Sequence, residues 1–214
     1  MLELGVKLLL AYLLGTVLGS LVLGRLRGVD IRAMGSGNAG ATNAMRTQGK
    51  WFGLMVLLID VAKGVIAVLW LPAAMLPGIG IDPQFSRAWL TVACGFAAIV
   101  GHVFPVWFGF RGGKGFATMI GVIGAVELRL LLPLLISWVL VVVLTGYIGL
   151  AAILSGIGMS IYVAVFEPND APLLVFCVSV AAFTVFTHRS NIARMRAGQE
   201  NRVRRLWLFR SRAA

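Results

Sequence analysis

Two glycine-rich basic stretches contain the residue types that bind phosphate groups. The first, residues 35–43, reads GSGNAGATN and is followed by Arg46 and Lys50. Glycine lets a ligand approach the backbone closely, and successive backbone N–H groups in such a turn can form an anion-binding concavity. The guanidinium of Arg46 is planar, permanently charged and suited to phosphate. No Gly-Lys-Ser/Thr sequence closes the stretch, so it is not a P-loop.

Short side chains and backbone groups supply the candidate ligands of this stretch, which are Gly35, Ser36, Gly37, Asn38, Gly40, Thr42, Asn43 and Arg46. A flexible loop between two helices is the more common explanation of a Gly/Ser/Asn cluster. Taken alone, the stretch leaves an anion site and a simple connection equally open.

The second stretch, residues 101–118, reads GHVFPVWFGFRGGKGFAT. Glycines surround Lys114, so the backbone can approach an anion while the lysine supplies a point charge. The candidate ligands are Arg111, Gly113, Lys114 and Gly115. A basic loop next to a membrane would have the same composition. His102, near the end of an apolar run, is interpreted as a packed, hydrogen-bonded helix residue rather than a catalyst.

Two further polar clusters could take part in chemistry. In HRSNIARMRAGQE, residues 188–200, His188 and Asn191 are three residues apart and can face the same side of a helix. In IDVAKG, residues 59–64, Asp60 and Lys63 have the same spacing inside an apolar segment. Charges in a membrane span are costly and usually pair or face a cavity. A structural ion pair and a role in a site both remain open for Asp60 and Lys63.

The composition indicates a membrane protein. Hydrophobic residues make up 59% of the chain and charged residues 13%, with a mean hydropathy of +0.93, whereas soluble domains are about 45–50% apolar and about 25% charged. The net charge of +11 is assigned to a membrane surface rather than to nucleic acid. Cys94 and Cys177 lie in apolar runs and the acidic residues are dispersed, so neither a metal site nor a cofactor motif is predicted.

The apolar segments predict an all-α integral membrane protein with about seven transmembrane helices, because about 20 apolar residues cross a bilayer as a helix. The segments are residues 4–23, 51–71, 87–108, 116–126, 130–146, 147–166 and 172–187. Residues 24–50 are predicted to be a polar loop, and residues 202–214 a basic tail at the lipid interface. The whole chain, residues 1–214, is predicted to be one transmembrane domain.

Lysine and arginine residues orient these segments. With seven crossings, both glycine-rich stretches and the C-terminal tail share one side of the membrane. That side holds most of the basic residues, whereas the other side holds Lys7, Arg87 and Arg129. The positive-inside rule then places the N-terminus outside and the C-terminus in the cytoplasm. The fourth segment is short, but without it the basic tail would lie outside.

In the motifs GSGNAGATNAMR, IDVAKG, GHVFPVWFGFRGGKGFAT and HRSNIARMRAG, the sequence resembles the bacterial acyl-phosphate:glycerol-3-phosphate acyltransferases, the PlsY family. The likeness covers nearly the whole chain. It implies a seven-helix enzyme of the bacterial cytoplasmic (inner) membrane with its active site on the cytoplasmic face. It also implies transfer of a fatty acyl group from acyl phosphate to the 1-hydroxyl of glycerol 3-phosphate. The products would be lysophosphatidic acid and phosphate, in the first acylation of phospholipid biosynthesis, without a metal or cofactor.

Residue roles follow from the same resemblance. Ser36, His188 and Asn191 would act at the reacting centre. The phosphate-binding set would be Gly35, Gly37, Asn38, Gly40, Thr42, Asn43, Arg46, Arg111, Gly113, Lys114 and Gly115. Arg111 stands where FKGGKG has a lysine, so the charge is kept. The implied partners are the two substrates, membrane lipid and a soluble enzyme that forms acyl phosphate; nucleic acid is not among them.

Two other functions fit part of the pattern. A transporter for a phosphorylated small molecule would also use anion-binding loops and an intramembrane Asp60–Lys63 pair. Against it, the polar clusters gather on one face and no polar path crosses the later segments. A basic adaptor that binds nucleic acid or a protein through its tail is the third reading, although an Arg-rich segment after a last span is usually a lipid anchor.

Overall fold

The computed structural model describes residues 1–203 and 206–209. Over these residues the chain is helical, with α1 (Leu2–Gly15), α2 (Gly19–Leu26), α3 (Ala41–Gln48), α4 (Lys50–Leu69), α5 (Arg87–Val103), α6 (Phe116–Val126), α7 (Leu131–Thr145), α8 (Ile148–Phe166), α9 (Ala171–Thr187) and α10 (Arg189–Arg196). Short 3-10 turns lie at Ile31–Ala33, Val106–Phe108 and Leu128–Leu130.

Four helical segments among the described residues are long and apolar enough to cross a membrane: Lys50–Leu69, Arg87–Phe108, Leu128–Thr145 and Ile148–Phe166. The number rises to six if α1 with α2, bent by 47°, and α9 with α10, bent by 53°, each count as one span. Helix α6 has 11 residues, about 16 Å at a rise of about 1.5 Å per residue. It is too short to cross a hydrocarbon core of about 30 Å alone. The seven crossings and their orientation therefore stay predictions.

Two features differ from the sequence-based expectations. The segment predicted as one helix over residues 4–23 is broken between Gly15 and Gly19. The prediction of a polar loop over residues 24–50 was wrong for residues 41–48, which form α3. An eight-residue helix is marginal by itself, so packing must stabilise α3: an added Cβ at Gly53 of α4 would lie 2.5 Å from the Cβ of Met45.

The chain divides into two compact units, Met1–Glu127 and a second that begins at Leu128. In the first unit, glycines allow the helix backbones to approach closely. A Cβ at Gly15 of α1 would collide with the backbone of Ala98 in α5, and one at Gly121 of α6 would collide with the backbone of Val61 in α4. Such close contacts between small residues are a main source of helix association in membranes.

At the N-terminal end of α1, the buried carboxylate of Glu3 joins two basic side chains. The carboxylate of Glu3 binds Lys7 at 2.8 Å and both terminal nitrogens of Arg87 at 2.7 Å. Lys7 also donates to the carbonyl of Pro72 at 2.8 Å. Glu3 and Lys7 are only 4% and 2% exposed. This group ties α1 to the start of α5 and to the segment that follows α4.

The second unit contains α7 to α10 and the segment after α10, which packs against the turn between α7 and α8. The backbone N–H groups of Val203 and Leu208 donate to the carbonyls of Gly146 and Val143 at 2.8 and 2.9 Å. The guanidinium of Arg202 lies over the rings of Tyr147 and Trp207, 4.6 and 4.2 Å from their centroids. The described part of the predicted tail therefore caps α7, while residues 204, 205 and 210–214 lie outside the described residues. The prediction of one domain over residues 1–214 stays a prediction.

Candidate active site

Asn43 shapes the first glycine-rich stretch. Its side chain is buried, its Oδ1 accepts from the backbone N–H of Ser36 at 2.9 Å, and its Nδ2 donates to the carbonyls of Ile31 and Met34 at 3.1 and 2.9 Å. Both amide hydrogens are therefore used within the loop. Gly35, with φ +56°, lies so close to Asn43 that a Cβ there would collide with Oδ1. Asn43 therefore fixes the conformation of the loop, and its role as a phosphate ligand stays a prediction.

Other groups of this stretch face outward. Ser36, Gly37, Thr42 and Arg46 are exposed, whereas Asn38 and Gly40 are half-buried. Helix α2 holds the backbone of the stretch, because the hydroxyl of Ser20 donates to the carbonyl of Ala39 at 2.7 Å. A loop with a fixed backbone and exposed hydroxyl and guanidinium groups is suited to holding an anion.

The second stretch folds back over the end of α5. The backbone N–H groups of Gly112 and Gly113 donate to the carbonyls of Val103 and His102, both at 3.1 Å. A Cβ at Gly113 would collide with the imidazole Nε2 of His102, so only glycine fits here. Gly115 has φ +83° and caps the start of α6. Lys114 thus stands, half-buried, immediately before a helix N-terminus, whose dipole favours anions.

Arg32 joins the two stretches, and the sequence did not single it out. Its Nη1 donates to the carbonyls of Phe108 and Arg111 at 3.0 and 3.2 Å, while Nε and Nη2 bind the carboxylate of Asp30. The guanidinium of Arg32 lowers the pKa of the Asp30 carboxyl below its usual value. An open cleft of about 590 Å³ lies beside this bridge, lined by Asp30, Arg32, Ala33, Phe108, Gly109 and Arg111. The two predicted anion-binding stretches are therefore neighbours within the first unit.

The Asp60–Lys63 pair lies at the break between α1 and α2. The two side chains form an ion pair of 3.1 Å and are 0% and 3% exposed. Lys63 also contacts Nδ1 of His102 at 2.8 Å. His102 is 2% exposed, so the prediction that it is a packed, hydrogen-bonded helix residue is confirmed.

His188 and Asn191 lie in the second unit, at the bend between α9 and α10. Both are buried, at 4% and 7% exposure. Nδ1 of His188 is 2.9 Å from the carbonyl of Thr184. Because a carbonyl only accepts, Nδ1 carries the proton in this bond, and a neutral ring has its lone pair on Nε2.

Glu200 holds Asn191 in place, a role that sequence reasoning missed. Nδ2 of Asn191 donates to Oε1 of Glu200 at 2.6 Å, and Nε of Arg194 donates to Oε2 at 2.6 Å. On the other side, a Cβ at Gly149 of α8 would lie 2.7 Å from Nδ2 of Asn191. The only available signal was that Glu200 is the single acid in a basic segment.

Glu200→Gln is expected to lower both the melting temperature and the turnover number. Gln can replace only one carboxylate oxygen as an acceptor, so either Asn191 or Arg194 loses its bond. A hydrogen bond to a charged group contributes about 1.5–3 kcal/mol. Thermal unfolding and initial rates in detergent measure both effects, with the exposed neighbour Gln199→Ala as the control. Unchanged values for Glu200→Gln would contradict the positioning role.

Comparison with known proteins identifies the family to which the chain is similar. The family described as "Glycerol-3-phosphate acyltransferase" matches residues 6–198. The glycerol-3-phosphate acyltransferase of Clostridioides difficile is 43% identical over 195 residues, covering 90% of this chain and 92% of the relative. That of Geobacter sulfurreducens is 40% identical over 195 residues, covering 91% and 94%.

Solved structures agree with this result. The chain is similar to a crystal structure of PlsY, an integral membrane glycerol 3-phosphate acyltransferase, in its glycerol 3-phosphate form, with a TM-score of 0.79 and 33% identity over 93% of this chain and 94% of that one. The lysophosphatidic acid form matches with a TM-score of 0.77. The fold is thus that of an all-helical, multi-pass integral membrane protein. The chain belongs to the PlsY family of glycerol-3-phosphate acyltransferases.

Proposed function

We propose that the chain transfers a fatty acyl group from acyl phosphate to the 1-hydroxyl of glycerol 3-phosphate, giving lysophosphatidic acid and inorganic phosphate. It is a glycerol-3-phosphate acyltransferase by family. The similar PlsY structures are in glycerol 3-phosphate and lysophosphatidic acid forms, the acceptor and product of this reaction. Acyl phosphate as the donor comes from the resemblance and is part of the proposal.

The main support for this proposal is that the two glycine-rich stretches are neighbours in the first unit. Both substrates are phosphorylated, so the enzyme needs several anion-binding groups, and charge-assisted hydrogen bonds are the strong ones. The exposed Ser36 and Arg46 and the half-buried Lys114 supply them, on a backbone fixed by Asn43 and Arg32. The other predicted phosphate ligands, which are the remaining glycines, Asn38, Thr42 and Arg111, belong to the same two stretches.

Positioning and electrostatics suffice for the chemistry, because phosphate is a good leaving group. The acceptor oxygen forms a bond to the carbonyl carbon, and the bond from that carbon to the phosphate oxygen breaks. Alignment of the reactants can lower the barrier by about 7–11 kcal/mol in favourable cases. Asn191 is proposed to stabilise the carbonyl oxyanion. The hydroxyl proton passes to Nε2 of His188 or to a phosphate oxygen of the substrate.

Initial rates with purified protein in detergent test the donor. Acyl phosphate should support lysophosphatidic acid formation, whereas acyl-CoA and acyl carrier protein should not. Phosphate release in detergent also separates the enzyme from a transporter, because no gradient exists there. Ser36→Ala should reduce the rate steeply while the exposed Gln84→Ala does not. Equal rates with acyl-CoA would contradict the proposed donor.

The same proposal places the chain in a bacterial cytoplasmic membrane, with the N-terminus outside and the site on the cytoplasmic face. The uneven distribution of Lys and Arg supports this orientation. Fusions at Ala214 to a cytoplasmic and to an exported reporter test it. Activity from the exported reporter alone would contradict the orientation.

A further inference from the structure

The break between α1 and α2 leaves backbone groups that helix hydrogen bonds cannot satisfy. Lys63 donates to the carbonyls of Gly15 and Val17 at 2.9 and 3.0 Å, and Oδ1 of Asp60 accepts from the N–H of Gly19 at 3.2 Å. The cation thus lies at the C-terminal end of α1 and the carboxylate at the N-terminal end of α2. Each charge has the sign that the adjacent helix dipole favours.

The same ion pair reaches the second glycine-rich stretch through His102. The ammonium of Lys63 lies 2.8 Å from Nδ1 of His102, and the other ring nitrogen, Nε2, faces Gly113. Thr118 at the start of α6 is 3.3 Å from Nδ1. The ring is therefore fixed on one edge by Lys63, while its other edge supports the glycine next to Lys114.

One oxygen of this group is unsatisfied. Within the described residues, Oδ2 of Asp60 is buried and has no hydrogen-bond partner. A buried polar atom of this kind costs about 1–3 kcal/mol and calls for an explanation.

We propose that Asp60, Lys63 and His102 are positioning residues for phosphate binding, which set the place of both glycine-rich stretches relative to one another. Asp60 and Lys63 fix α2, whose Ser20 holds the first stretch. The carbonyl of His102 accepts from the N–H of Gly113, and its ring packs against the same glycine in the second stretch. This inference rests on the proposed function, which assigns phosphate binding to the two stretches.

His102→Asn tests the inference with little disturbance of the core. The amide oxygen of asparagine lies near the former position of Nδ1, so Lys63 keeps an acceptor, but the ring edge beneath Gly113 is lost. The KM for the substrate bound by the second stretch should rise, by up to about 100-fold, because displacement of a binding group by about 1 Å has effects of this size. The KM for the other substrate and the melting temperature should change little.

Lys7→Met is the matched control. Lys7 belongs to an equally buried ion pair of the same unit, but it contacts Glu3 and Pro72 rather than the stretches. It should lower the melting temperature and leave both KM values unchanged. If His102→Asn instead lowers the melting temperature and shifts both KM values in parallel, the role is structural and the inference is wrong.

A charge exchange, Asp60→Lys with Lys63→Asp, tests the polarity argument. It keeps an ion pair but places a cation against the N–H of Gly19 and a carboxylate against the carbonyls of Gly15 and Val17. We expect the KM values of the folded charge-exchanged protein to exceed those of the wild type. Wild-type KM values in this variant would overturn the inference.

The two proposals fail in different ways. If the proposed function is wrong, the unmodified protein forms no lysophosphatidic acid from acyl phosphate. If the positioning role is wrong, that activity is intact and only the difference between His102→Asn and Lys7→Met disappears.

Discussion

Asn191→Ala is expected to lower kcat by about 10²–10³-fold, the usual effect of removing one oxyanion donor. The substitution also leaves the nearly buried Glu200 without the Asn191 amide that it accepts from at 2.6 Å. Because the donor acts on charge that develops in the transition state, kcat should fall more than the KM values rise. Initial-rate kinetics on purified protein measure both parameters.

Ser190→Ala provides the control for this variant, because Ser190 precedes Asn191 on α10 and is exposed. It should keep near-normal rates. A folded Asn191→Ala enzyme with wild-type kcat would remove Asn191 from the reacting centre. If Asn191→Ala lowers the melting temperature and the rate only as much as Glu200→Gln does, Asn191 has a structural role only.

Gly113→Ala is the second substitution with a large expected effect. The added Cβ would collide with Nε2 of His102, which cannot retreat because Lys63 holds the ring from the other side. Overpacking of this kind costs about 1–3 kcal/mol, and the backbone beside Lys114 must shift to relieve it. Of the two phosphorylated substrates, the one whose phosphate binds at this stretch should show a rise in KM of roughly 100-fold, as expected for a displacement near 1 Å.

A double-mutant cycle with His102→Ala isolates the cause. Removal of the ring makes room for the new Cβ, so the loss in the double variant should be smaller than the product of the two separate losses. Gly80→Ala is the control, because a Cβ at Gly80 meets no atom within 4 Å. Independent, multiplicative losses would show that the collision with His102 is not the reason that position 113 needs glycine.

Local sequence patterns predicted most of the helices and the two polar, glycine-rich stretches. Apolar length identified α4, α5 and α8, and the glycine-rich composition identified the stretches that carry Ser36 and Lys114. These features depend on neighbouring residues, so they can be inferred from the sequence alone. His102 was correctly interpreted as a packed residue for the same reason, since it lies within an apolar run.

Contacts between distant residues could not be predicted. Lys63 binds a carbonyl 48 positions earlier, and Arg32 binds a carbonyl 79 positions later. No local signal marks either contact. The bend between α1 and α2 lies inside a segment whose length and mean hydropathy favour one straight helix. The burial of Asn43 and its bonds to the carbonyls of Ile31 and Met34 are likewise properties of the folded loop, which its residue type does not predict.

The break between α1 and α2 has a consequence for the order of folding. The carbonyls of Gly15 and Val17 bind a lysine that is synthesised 46 to 48 residues later, and a backbone carbonyl left without a partner away from water is costly. We therefore expect this break to reach its final conformation only after Lys63 of α4 has been synthesised.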